Sequence, residues 1–402
     1  MSTSRIASHI QRIKTSPNSA AADLITTLRA EGRQIISFVV GEPDFPTPAH
    51  IGEAAVAAIA RGETRYTPTA GTMALRRASS AKLLRENALS IPATQIVVTC
   101  GAKHALFNAL AVTLEPGDEV LIPAPYWVSY PDMVLACEGI PVIIATDEAS
   151  GFKITPQALA EAITPRTRWL ILNSPSNPTG ATYDATELRC IAQVLADHPQ
   201  VMLLTDDIYE HIRFDGADNP HIVALAPALA PRALVVNGVS KSYAMTGWRI
   251  GYAAGPADII AAMDTLQSQS TSGVCSISQA AALAALEGDQ QGVLQRAAIY
   301  QQRRDAALGW INAIPGLHCR APGGAFYLFV NCQGALGKIT AQGKVQATDS
   351  DLTLHVLERV GVALAPGAGF GCPGYFRMTT ATSMELLREG CAKIATALGD
   401  LR

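Results

Sequence analysis

Charge is scarce in this chain of 402 residues: Asp, Glu, Lys and Arg make up 16% of it and leave a net charge of −3. No basic excess is present to follow a nucleic-acid backbone, and no cluster of Lys and Arg reads as a membrane-surface patch. Long apolar runs are also missing. None reaches the roughly 18 residues that a membrane span requires. The first thirty residues, broken by Arg5, Arg12 and Lys14, contain no apolar core of a secretory signal. The eight cysteines show no CxxC and no metal-ligand spacing, so they read as reduced, small apolar residues of a cytoplasmic protein. Hydrophobic residues, by contrast, make up 49% of the chain. Over this length they can fill a large domain and a smaller one.

Short apolar runs alternate with helical segments between about residues 95 and 255. Strands are expected at Ile96–Thr99, Glu119–Ile122, Pro141–Ala145, Trp169–Leu172, Met202–Thr205, Leu234–Asn237 and Ile250–Ala253. Helices are expected between them, at Lys103–Leu114, Trp127–Ala136, Pro156–Ala162, Asp184–Ala196 and Pro256–Gln267. That alternation implies βαβ units, and hence an α/β fold with a mostly parallel seven-stranded sheet covered on both faces. Right-handed crossovers then bring the strand ends, with the loops that follow, to one ligand-binding edge. The large domain is expected over 49–289. Residues 1–48 and 290–402 form a smaller α+β domain, with a long helix (Gln290–Ile314) and strands at Ala325–Val330, Val362–Ala365 and Phe376–Thr379. Helices are expected there at Asp351–Arg359 and Met384–Leu398, and the polar stretch 333–350 reads as a loop or hairpin.

The most informative segment runs from Gly238 to Gly251, GVSKSYAMTGWRIG. It places Lys241 between Ser240 and Ser242 at the end of a buried strand, with Arg249 eight residues on. A desolvated lysine near other cations loses its proton readily and becomes a nucleophile able to form Schiff bases. A nearby arginine offers a fixed fork to a phosphate. A Schiff-base lysine and a phosphate-binding arginine are what a pyridoxal phosphate site needs. All fourteen positions resemble the cofactor-lysine signature of the class I pyridoxal-phosphate-dependent aminotransferases.

Other segments fit the same site. After the strand Ile96–Thr99, Gly101-Ala102-Lys103 opens a helix, whose free N–H groups suit a phosphate. In Asp206-Asp207-Ile208-Tyr209, chemistry alone leaves two aspartates open as partner of a protonated ring nitrogen. The family pattern D-x-x-Y selects Asp206 for that nitrogen and Tyr209 for the cofactor's phenolic oxygen. The turn-rich run Asn173 to Gly180, NSPSNPTG, resembles another family element and implies that Asn177 donates to the same oxygen, with the state of its X-Pro bonds left open. Trp127 offers a flat indole surface, and the resemblance puts it against the pyridine ring.

Arg377 interrupts an apolar strand near the C-terminus, where it can clamp a carboxylate or pair with a structural acid. The resemblance makes it the substrate α-carboxylate clamp, with the Gly41 backbone beside it. Tyr66 matches a tyrosine that reaches the phosphate of a neighbouring subunit, implying a homodimer with shared active sites. The resemblance spans Gly41 to Arg377 and implies fold type I, pyridoxal 5'-phosphate as cofactor, and a ping-pong exchange between an L-amino acid and a 2-oxo acid. Lys241, Asp206 and Tyr209 are its expected catalytic residues.

The segments 337–345 and 126–130 are similar to the bacterial aspartate aminotransferase branch, which favours aspartate with 2-oxoglutarate. No Arg or Lys occurs from Gly251 through Gln295, where relatives of another branch place a second arginine for a distal carboxylate. Lys103, Arg65, a cation of the N-terminal segment, or polar groups such as Asn18, Ser270 and Ser272 must serve instead. Aromatic amino acids, prephenate and alanine are the alternative substrates, and a lyase on the same fold is the alternative reaction.

Overall fold

The computed structural model describes residues 5–14 and 17–402; the side chain of Asn18 lies outside the described part. Among the described residues, strands in chain order are β1 (Ile36–Ser37), β2 (Ile96–Thr99), β3 (Glu119–Ala124), β4 (Ile140–Ala145), β5 (Thr167–Asn173), β6 (Met202–Asp206), β7 (Ala233–Gly238), β8 (Gly251–Ala254), β9 (Tyr327–Asn331), β10 (Val362–Ala363), β11 (Ala365–Pro366) and β12 (Tyr375–Thr379).

Strands β2 to β8 form one seven-stranded sheet in the order β2-β8-β7-β6-β5-β3-β4, in which β8 alone runs against its neighbours. Successive side chains serve opposite faces. Leu234 and Val236 of β7 join the core containing Leu106, Met133 and Trp169, whereas Ala233 and Val235 join the core containing Leu159, Ile191 and Leu195. Burial on both sides explains why these strands read as continuous apolar runs rather than alternating ones. A second sheet, β11-β12-β9, is antiparallel and packs Leu328, Val330, Phe376 and Met378 with Phe38 against the C-terminal helices. β1 and β10 pair in parallel.

Helix starts follow the capping chemistry. Asp184 caps the helix Ala185–Ala196 through a reciprocal box with Glu187. The helix expected from Asp351 begins at Asp349, because Thr348 and Asp351 form a second box. The helix expected from Trp127 begins at Ser129, which leaves Trp127 on the loop after β3. β9 starts at Tyr327, two residues later than expected, since Ala325 adopts a left-handed φ of 55°. The stretch 333–350 closes as a small hairpin with one bridge, Ile339 to Val345. No described helix is long and apolar enough to cross a membrane.

This topology sets up the site. The parallel strands β2, β3, β5, β6 and β7 deliver Gly101, Trp127, Asn177, Tyr209 and Lys241 from one edge. Because β8 is reversed, its first residue lies at that same edge, with Gly251 opposite both Thr99 and Gly238. Arg249, two positions earlier, therefore arrives beside Lys241.

Candidate active site

A cavity of about 360 Å³ opens at this edge, and of the thirteen residues that the resemblance assigns to cofactor and α-carboxylate all but Gly101 and Tyr66 line it; Arg65, Ser270 and Ser272 do not. Gly101 packs behind: a Cβ there would fall 2.3 Å from a guanidinium nitrogen of Arg249. Arg249 itself holds a left-handed φ of 57° and donates to the carbonyls of Thr246 (2.9 Å) and Cys100 (3.2 Å). Ala102 and Lys103 begin the helix Ala102–Thr113, so their amides face the cavity at its positive end. Gly251 lets β8 approach this turn, since a Cβ would lie 2.3 Å from the Ala102 nitrogen. Tyr66 is 97% exposed and outside the cavity.

Lys241 reaches the cavity with its Nζ donating to the Gly41 carbonyl at 2.6 Å. Burial, reinforced by the charges of Arg377 and Arg249 and opposed by Glu42, lowers its pKa from 10.5 to about 8. Asp206 is fully enclosed. One carboxylate oxygen accepts from the Tyr130 hydroxyl at 2.7 Å; the other, Oδ1, is buried with no partner. Burial raises its pKa to about 6, against the opposing effect of Tyr130. A buried, half-satisfied carboxylate calls for a donor from the cavity. Asp207 turns away, accepting from Thr205 at 2.9 Å and lying 3.2 Å from His221.

Asn173 links two strand ends, donating to the Asp206 carbonyl and accepting from the Asn177 amide. Asn177 uses its side-chain oxygen to accept from Arg377 at 2.8 Å, which leaves its NH₂ for the cavity. The Ala124–Pro125, Ser174–Pro175 and Asn177–Pro178 bonds are cis. Trp127 packs edge-on against Tyr130, and the Lys103 ammonium lies 4.8 Å from its ring centre. Arg377 is 1% exposed, lies over the rings of Tyr327 (4.5 Å) and Phe370 (4.8 Å), and leaves its Nε without a partner.

The charge balance points the same way. Lys103, Lys241, Arg249 and Arg377 line the cavity with Asp206 as the one acid. Among the described residues none of these four cations forms an ion pair within 4 Å. Such an excess of uncompensated positive charge in a concave site suits an anionic ligand.

Sequence reasoning missed Tyr130, Tyr327 and a buried network behind the lysine. In that network Glu210 pairs with Lys82 and accepts from Asn87 and Asn237, and His211 bridges Glu86 and Ser242. Glu86, Glu210 and His211 bring ligand atoms within 4.8 Å of one another, but the Lys82 ammonium already supplies the positive charge there. Tyr130 lies in the segment 126–130, whose likeness to one branch gave its hydroxyl no role, and the others belong to no motif that spacing could have exposed.

A parallel sheet with one reversed strand, five strand ends meeting at a cationic cavity, and a lysine of lowered pKa define an enzyme site for anionic substrates. The model of the class I and II aminotransferases matches residues 33–394, and the chain belongs to that family. It is 52% identical over 370 residues to an aspartate aminotransferase of Rhizobium meliloti strain 1021, covering 92% of this chain and 90% of that one. It is 47% identical over 395 residues to an aspartate/prephenate aminotransferase of Nitrosomonas europaea, covering 98% and 100%. The crystal structure of an aspartate aminotransferase from Rhizobium meliloti superposes with a TM-score of 0.97 at 49% identity, over 99% of this chain and 100% of that one. That of the Thermus thermophilus aspartate aminotransferase with maleate gives 0.91 at 38%, over 98% and 100%. The protein is an aminotransferase of fold type I.

Proposed function

We propose that this aminotransferase uses pyridoxal 5'-phosphate to move the amino group between aspartate and 2-oxoglutarate, as a cytoplasmic homodimer. The observation that carries the reading is Arg377, a fully buried guanidinium with no carboxylate partner among the described residues and a free Nε. It suits bidentate capture of a substrate α-carboxylate. The cofactor fits the remaining groups: Asp206 Oδ1 lacks a donor, and Arg249, Ser240 and the helix N-terminus at Ala102 and Lys103 suit its phosphate.

When bound, the cofactor supplies an electron-withdrawing ring that stabilises negative charge at the substrate α-carbon. Asp206 would accept the ring N–H through Oδ1 and keep the ring nitrogen protonated. Tyr209 and Asn177 would donate to the phenolic oxygen, and Trp127 would offer its indole to the ring. Lys241 would hold the cofactor's carbonyl carbon, and its amine, when free and neutral, would be placed to take a proton from the substrate α-carbon and to return one. A pKa of about 8 keeps that amine near the balance between base and acid. Tyr66, bare on this chain, is assigned to the neighbouring subunit's phosphate.

For the distal carboxylate, Lys103 is the one of the four unpaired cavity cations whose side chain has no other role assigned, while Arg65 is exposed. The Thermus thermophilus relative is described with maleate, a C4 dicarboxylate, which supports a dicarboxylate substrate. Prephenate is the second reading, favoured by the relatives named aspartate/prephenate aminotransferases. Mixing the holoenzyme with single amino acids, while following the cofactor's visible band, tests aspartate against an aromatic amino acid. Aspartate should convert the band rapidly. An unchanged spectrum with aspartate and rapid conversion with phenylalanine would overturn the aspartate assignment.

A further inference from the structure

We infer that Tyr327 is a positioning residue that ties the cofactor-side donor Tyr209 to the substrate-side cation Arg377, an inference that rests on the transaminase reading above. Tyr327 opens β9 in the smaller sheet, whereas Tyr209 follows β6 of the large one, so their contact spans the two sheets. Their hydroxyl oxygens lie 2.7 Å apart and their rings meet edge to face at 5.8 Å. Both side chains are buried, and both line the cavity.

Hydrogen counting gives the pair a direction. Two hydroxyls carry two protons, and the bond between them consumes one. Gly41 packs against the Tyr327 oxygen, where a Cβ at Gly41 would lie 2.0 Å from it. Either oxygen can donate in the free protein, but once Tyr209 gives its proton to the phenolic oxygen, as assigned above, only the Tyr327 proton is left for the bond between them. A phenol that accepts a hydrogen bond becomes a better donor, so Tyr327 strengthens whatever bond Tyr209 makes to the cofactor's phenolic oxygen. Burial raises the pKa of both tyrosines, which keeps the protons in place.

The ring does separate work. The Arg377 guanidinium carbon lies 4.5 Å from the Tyr327 ring centre, a cation–π contact that fixes the plane of the fork. The same Gly41 that packs on the Tyr327 hydroxyl accepts from Lys241 Nζ. One side chain thus touches the supports of the cofactor's donor, the substrate's clamp and the reactive amine. The charged and titratable groups around the pair are Asp206, Lys241 and Arg377, with Tyr300 on the helix Gln291–Asn312.

Substitution separates hydroxyl from ring. Holoenzymes of the wild type, Tyr327→Phe, Tyr327→Leu, Tyr209→Phe and the double variant Y209F/Y327F are compared without substrate by the pH midpoint of the cofactor's visible band. Each is then compared by its KM for the amino acid. Donors to the phenolic oxygen favour its anionic form, so Tyr327→Phe should raise the midpoint by about half a unit or more. Its KM should stay within about two-fold, because the ring under Arg377 remains. Tyr327→Leu should raise KM roughly ten-fold as well. The double variant should match Tyr209→Phe alone, since Tyr327 acts through Tyr209. An unmoved midpoint in Tyr327→Phe, or additive shifts in the double variant, overturns the inference. The transaminase reading is checked separately with Lys241→Ala: retention of both the bound-cofactor band and turnover would remove that reading, whatever Tyr327 does.

Discussion

Lys241 donates from Nζ to the backbone carbonyl of Gly41 across 2.6 Å, joining residues 200 positions apart. A carbonyl holds the amine in place but offers no counter-charge. The amine's pKa is therefore set first by burial, then by Glu42 and Asp206 acting against Arg377 and Arg249, and falls to about 8.

The rate at which cofactor-free protein recaptures pyridoxal phosphate should follow this titration. Only the neutral amine attacks the aldehyde, so the rate should climb with pH through a midpoint near 8. Stability of the cofactor-free protein should change in the same sense. The folded lysine binds its proton less tightly than the unfolded one, whose ordinary value is 10.5. Unfolding thus takes up a proton between about 8 and 10.5, and the fold gains stability as pH rises through that window. Lys241→Met should lack this gain. A recapture midpoint near 10.5 would show the amine to be an ordinary one.

Arg377→Leu should lower kcat/KM for every amino acid substrate by about 10²–10⁴-fold, the loss of one or two charge-assisted hydrogen bonds to the α-carboxylate. Arg377→Lys should recover little, because a point charge cannot form the bidentate fork. Steady-state kinetics over aspartate and an uncharged amino acid decide it. If the loss is confined to aspartate, the guanidinium serves the distal carboxylate instead.

The strands were legible because they are buried on both faces and so leave uninterrupted apolar runs, as in Ile96–Thr99, whose bounds agree with expectation. That Lys241, Asp206 and Arg249 meet at one cavity was legible because their neighbours in sequence form a signature. Tyr130 and Tyr327 were not. Each is an aromatic residue at the edge of an apolar segment, indistinguishable from core until the fold brings its hydroxyl to Asp206 or Tyr209. Lys82, in the helix Met73–Asn87, belongs to no motif either, yet it is 1% exposed.

Lys103 should discriminate between substrates. Burial, with the charge of Arg249, lowers its pKa, and its ammonium lies over Trp127 without an acid partner. Lys103→Ala should reduce kcat/KM for aspartate by about ten- to a hundred-fold, while alanine or phenylalanine changes by less than about three-fold. Equal losses for all three would point to the cofactor phosphate as the group that Lys103 serves.

Glu210 and Lys82 make the last test, one of stability. Burial works against ionisation of Glu210, but the charges of Lys82 and His211 and the bonds from Asn87 and Lys82 outweigh it and hold the pKa at about 2. The contribution is complete above the ordinary carboxylate value of 4.5 and disappears as pH falls toward 2. At neutral pH, Glu210→Gln should cost about 3–5 kcal/mol, because it strands a buried ammonium. Glu86, 3.4 Å from Lys82, places the loss at the lower end of that range. Removing both charges in K82M/E210Q should cost less than either single change, since the carboxamide still accepts from Asn87 and Asn237. Denaturant midpoints measured from pH 7 down to 2 should show wild type and Glu210→Gln converging, as the protonated carboxyl comes to resemble the amide. A gap that persists at pH 2 would locate the effect in packing rather than in charge.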